Sequence, residues 1–117
     1  MKNMLYDLSN LKTLSNNDEA FIIDMLQTYK RTAPPIFQRM EEDIAEGKLE
    51  ATGREAHKLI PGVSFLGAKS LQDVLVQIEE TAKNGKDLDK IPALVSTAVN
   101  LSNELIACFE KDFPGKL

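Results

Sequence analysis

Apolar residues recur along this chain in steps of three and four, and no run alternates strictly between apolar and polar positions as a half-buried strand would. The periodicity predicts an all-α protein. A short apolar lead-in, Leu5, Leu8, Leu11 and Leu14, precedes the stretch Ser15-Asn16-Asn17-Asp18-Glu19, whose side chains suit a helix start. From there Ile22, Met25, Leu26, Tyr29, Ala33, Ile36, Phe37, Met40 and Ile44 keep one face across Pro34-Pro35. One long helix bent at the prolines is expected, not two separate ones.

Gly47 should end that helix, and a second stripe runs through Leu49, Ala56, Leu59, Val63 and Leu66 to the Gly67-Ala68 turn. A third begins near Ser70, carries Leu71, Leu75, Ile78 and Ala82, and stops at Asn84-Gly85. The fourth starts near Asp89 with Pro92 in its first turn. It is expected to bury Ile91, Leu94, Ala98, Leu101, Leu105 and Phe109 before Pro114-Gly115. Connections this short favour antiparallel neighbours, so the expected fold is an up-down-up-down four-helix bundle with a short helical lead-in.

Composition narrows the function classes. With 117 residues, 43% hydrophobic and 27% charged, residues 1–117 read as a single domain with one core and room for one main site. The net charge of −4 and the lack of a basic run argue against nucleic-acid binding. No apolar stretch is expected to reach the roughly 20 residues that cross a bilayer. The start MKNMLYDLSN lacks a leader's apolar core, so a cytoplasmic protein without a membrane partner is expected. Cys108 stands alone and, with a single histidine, supplies neither a disulfide nor a metal site. It is read as a core residue in an apolar stripe.

The one histidine, His57, falls a single helical step from the Ala56-Leu59-Val63 stripe and should be at least partly exposed. Gly53, Arg54, Ile60, Pro61 and Ser64 share its face at spacings of three, four or seven. Gly53 and Ser64 leave room for an incoming group, and Arg54 and Lys58 offer charge and donors for phosphate oxygens. Imidazole near neutral pH is a competent phosphoryl acceptor. On spacing alone, an ordinary surface histidine explains the same pattern.

The segment Glu55 to Ala68, EAHKLIPGVSFLGA, resembles the signature of histidine-containing phosphotransfer (HPt) domains, in which a small residue, histidine and an apolar position precede a Lys-Gly pair and an apolar-Gly-small turn. Ala56, His57, Lys58 and Leu59 match at the front, and Leu66, Gly67, Ala68 and Leu71 at the back. The register of the first long helix and the Leu75-Ile78-Glu79 stretch also fit, so the resemblance spans about Leu8 to Phe109. It implies that His57 accepts a phosphoryl group from the aspartate of a receiver domain, which brings its own magnesium ion, and passes it to a second receiver. The chain would then be a phosphocarrier with no cofactor and no ATP-dependent kinase activity. A monomer is expected, since no long heptad seam is present.

The chain departs from the family pattern at one place. Ile60 and Pro61, followed by Gly62, stand where the family has Lys-Gly. Arg54 and Lys58 must then carry more of the phosphate contact. Ile60 and Pro61 either form an apolar rim that docks a particular receiver, or mark a degenerate module that binds a partner without phosphotransfer. Pro61 also removes the N–H that would meet the His57 carbonyl, so a local kink is expected.

Overall fold

The computed structural model describes residues 5–117; the first four positions, part of the amino-terminal stretch read above as no leader, lie outside the described residues. All regular structure among the described residues is helical: α1 (Ser9–Leu14), α2 (Glu19–Ala45), α3 (Ala51–Phe65), α4 (Lys69–Asn84) and α5 (Ile91–Asp112), with a 3-10 turn at Leu88–Lys90 leading into α5. Helix α2 begins where the capping stretch predicted: the Asp18 carboxylate accepts a hydrogen bond from the Phe21 N–H at 3.2 Å. It then runs unbroken through Pro34 and Pro35. Both prolines are exposed, so water can satisfy the carbonyls of Lys30 and Arg31 that they leave unpaired.

The four long helices pack in a ring, α2 on α3, α3 on α4, α4 on α5 and α5 back on α2. Direction follows from paired residues. Gly53 of α3 faces Ala82 of α4, while His57, one turn on, meets Glu79, one turn back. These two helices are therefore antiparallel. On the opposite side Gln27 reaches Lys116, Tyr29 reaches Ser102, and Ile44 lies near Pro92 and Val95, so α2 and α5 also run in opposite senses. Both pairings agree with up-down-up-down order.

The core seam of α2 is Ile22, Leu26, Tyr29, Ala33, Phe37 and Met40, with Met25, Ile36 and Ile44 half-buried beside it. In α5 the buried stripe is Ile91, Val95, Ala98, Ser102, Leu105 and Phe109. Val95 and Ser102 thus take the places expected of Leu94 and Leu101, which are half-buried. The reason is polar: Ser102 Oγ and the buried Tyr29 hydroxyl lie 2.6 Å apart and satisfy each other, so a serine can face the core. Burial pushes the Tyr29 hydroxyl up to about 12, and the Ser102 hydrogen bond partly opposes that shift. Cys108, expected in the core, is only half-buried.

The lead-in closes one end of the bundle. Leu8 and Leu11 are buried, each stabilising by about 1.5–3 kcal/mol, whereas Leu14 is exposed. The Asp7 N–H donates to the Leu66 carbonyl at 3.2 Å, and Tyr6 bonds Asp112 and packs edge-on to Phe109. Gly67 is required here twice over. Its φ is +65°, and a Cβ would stand 2.1 Å from the Asp7 carbonyl oxygen.

One expectation is corrected. Leu88–Asp112 spans 25 residues and contains an 18-residue window of mean hydropathy 1.2, long and apolar enough by length and composition to cross a membrane. No charged residue falls between Ile91 and Asn103, which raises the average. In the bundle this helix turns Ile91, Val95, Ala98, Leu105 and Phe109 to the core.

Two outcomes test this packing. Tyr29→Phe should destabilise the fold by about 1–2 kcal/mol in urea unfolding, because it strands the Ser102 hydroxyl; the double variant with Ser102→Ala should recover part of the loss. The raised Tyr29 value means its neutral form favours the folded state, a contribution present below pH 10 and lost as pH rises from about 10 to about 12. Tyr29→Phe should therefore flatten the alkaline stability profile across that window.

Candidate functional site

His57 sits mid-way along α3 with its side chain 71% exposed. The helix places it one step off the buried Ala56 and Leu59, so core packing fixes the backbone while the ring stays in solvent. Its Nδ1 lies 2.6 Å from Oε2 of Glu79 on α4, a carboxylate that is itself 32% exposed. An ionised carboxylate only accepts hydrogen bonds, so Nδ1 carries the proton and donates. In the neutral ring the lone pair is then on Nε2.

This contact depends on how closely the two helices approach. Gly53 is buried one turn before His57, and a Cβ there would stand 2.7 Å from the Ala82 Cβ and 3.5 Å from the Glu79 carbonyl oxygen. The pair brings α3 and α4 together where a larger residue would part them. Around it opens a depression of about 590 Å³ lined by Glu50, Gly53, Arg54, His57, Lys58, Glu79, Ala82 and Lys83. Lys58 Nζ bonds Glu55 Oε1 at 3.1 Å, and Arg39 Nε lies 3.9 Å from that same oxygen.

The residues singled out from sequence separate into two groups. Gly53, Arg54, His57 and Lys58 share this depression. Pro61 and Ser64 line a second one of about 370 Å³, with Asn10, Thr13, Leu14 and Phe65. Ile60 is half-buried and packs against the core, and borders neither. Helix α3 continues through Pro61, which is exposed.

Three residues of this lining, Glu79, Glu50 and Lys83, were not among the site residues singled out from sequence. Glu79 and Lys83 belong to another helix, and only the α3–α4 register brings them alongside. The available signal was their spacing of four on α4, with Glu79 one position beyond the core residue Ile78 and Lys83 one beyond Ala82. Among the described residues no group of three or more His, Cys, Asp or Glu side chains could hold a metal ion.

No curated protein and no solved structure matches the chain, but a family model described as Hpt domain matches residues 24–109. That match runs from the second turn of α2 to the buried Phe109 and takes in α3 and α4 whole, most of α2 and α5, and the surround of His57. The chain therefore belongs to the Hpt domain family, whose members serve histidine phosphotransfer in two-component phosphorelays.

Proposed function

We propose that His57 accepts a phosphoryl group from the phosphoaspartate of one receiver domain and yields it to the aspartate of another. The observation that carries this reading is the exposed imidazole whose Nδ1 is held by Glu79, leaving Nε2 as the free nucleophile. The Nε2 lone pair forms the N–P bond while the P–O bond to the aspartyl oxygen breaks, and that electron pair returns to the aspartate carboxylate. The ring keeps its Nδ1 proton and becomes cationic, and the facing Glu79 carboxylate stabilises that charge. The return transfer reverses these steps.

Most of the in-line chemistry belongs to the receiver and its own magnesium ion. This chain supplies a positioned nucleophile, local charge from Arg54 and Lys58, and a docking surface to which the exposed Pro61 and Ser64 and the outer edge of half-buried Ile60 contribute. Gly53 serves by keeping α3 against α4. We read the protein as a phosphocarrier without cofactor, metal or enzymatic turnover of its own, formed by residues 1–117 as one domain, monomeric and cytoplasmic, with receivers of response regulators or hybrid sensor kinases as partners.

The test is transfer of label from a phosphorylated receiver. Acid-labile, base-stable label should appear on the chain and be absent from His57→Gln, with helicity unchanged by circular dichroism. A chain that binds receivers but takes no label from any receiver of its source organism would instead be the degenerate docking module.

Glu79→Gln keeps an acceptor for Nδ1 but removes the charge. It should slow acceptance by roughly five- to tenfold, the size of a partly exposed charge-assisted contact, and NMR of the ring nitrogens should show less of the Nδ1-protonated tautomer. Gly53→Ala should both destabilise the bundle and slow transfer by prising α3 from α4, and adding Ala82→Gly should restore both, read by urea unfolding and the same label assay.

A further inference from the structure

The depression beside His57 is lined by three cations and two acids, Arg54, Lys58 and Lys83 against Glu50 and Glu79, on a chain whose net charge is −4. Their commitments differ. Glu79 is bonded to Nδ1 of His57, and Lys58 to Glu55. Arg54 and Lys83 have no ion-pair partner among the described residues.

Register places these two on the same side of His57. Arg54 lies three residues before it on α3, and Lys83 lies four residues after Glu79 on the antiparallel α4, so each is offset by about one helical turn, roughly 4.5–6 Å, in the same direction. At that level Gly53 faces Ala82, and neither raises a long side chain between the two cations and the ring. A phosphoryl group on His57 adds a charge of about −1.5 to −2, for which an ammonium and a guanidinium are suited donors. On the other side of His57, the position where the family carries a lysine is Ile60, half-buried against the core.

We propose that Lys83 of α4, together with Arg54 of α3, holds the phosphoryl group carried on His57, so that the cation missing at Ile60 is supplied from the neighbouring helix. This rests on the reading of His57 as phosphoryl acceptor. Lys83 acts as a direct contact to the phosphoryl oxygens; its side chain is exposed in the last turn of α4 and is no part of the buried core.

The experiment uses the full chain and a labelled phosphoreceiver. Lys83→Gln should lower the maximal rate of phosphoryl arrival about fivefold, as expected for one exposed charge contact, with the KM for the receiver unchanged. Lys83→Arg should restore most of that rate. In phosphorus NMR, the phosphoryl group on Lys83→Gln should titrate at higher pH than on the unsubstituted chain, because a cation that favours its dianion is gone. An unchanged maximal rate and an unchanged phosphoryl titration in Lys83→Gln would overturn the assignment, as would a change confined to KM, which marks a docking residue. No label on His57 of the unsubstituted chain would overturn the phosphotransfer reading itself, and this inference with it.

Discussion

The contact between Gly53 and Ala82 sets the distance on which the site depends. Two helices packed through larger side chains lie some 8–10 Å apart, and a glycine facing an alanine lets them approach at the near end of that range. His57 and Glu79 are one turn away along each helix, so their 2.6 Å contact is inherited from this approach. A histidine side chain is short and a glutamate reaches only a little further. Any added bulk at residue 53 would be transmitted to the ring as a lost hydrogen bond, because tightly packed interiors pass displacement along instead of absorbing it.

The same approach explains why a nucleophile can be both exposed and oriented. A fully exposed imidazole samples several rotamers and both tautomers, whereas a buried one would be closed to a partner domain. Here the helix backbone is fixed by Ala56 and Leu59 in the core, and the ring is steered by a single carboxylate at the surface. Orientation is obtained with little loss of access, which is what a group exchanged between large partners requires.

How far this was legible in the sequence depends on whether the information was local. Helix ends were readable because Asp18, Gly47, Gly67 and Gly85 act on their immediate neighbours, and the structure puts a cap or a left-handed residue at each. The exposure of His57 followed from its step beside Ala56. What could not be read was anything set by pairing between helices. Glu79 and Lys83 gain their meaning only from the antiparallel register of α3 and α4. The inward turn of Ser102 in place of Leu101 depends on Tyr29, 73 residues away, offering its hydroxyl. The apolar character of α5 is likewise not visible residue by residue, since it lies in the average over a stretch without charge.

That uncharged stretch bears on how the chain behaves before it is folded. From Ile91 to Asn103 nothing repels a second copy of the same segment, and the nearest charges are Lys90 and Glu104 at its two borders. While α5 is docked, its stripe is shared with α2 and α4. In a chain emerging from synthesis α5 follows α2, α3 and α4, and until they receive it the segment offers Val, Leu and Ile side chains to any neighbour at hand. Lys90 and Glu104 stand where gatekeeper charges flank an apolar run, and the local contacts of a helical bundle favour a fast collapse that shortens its exposure.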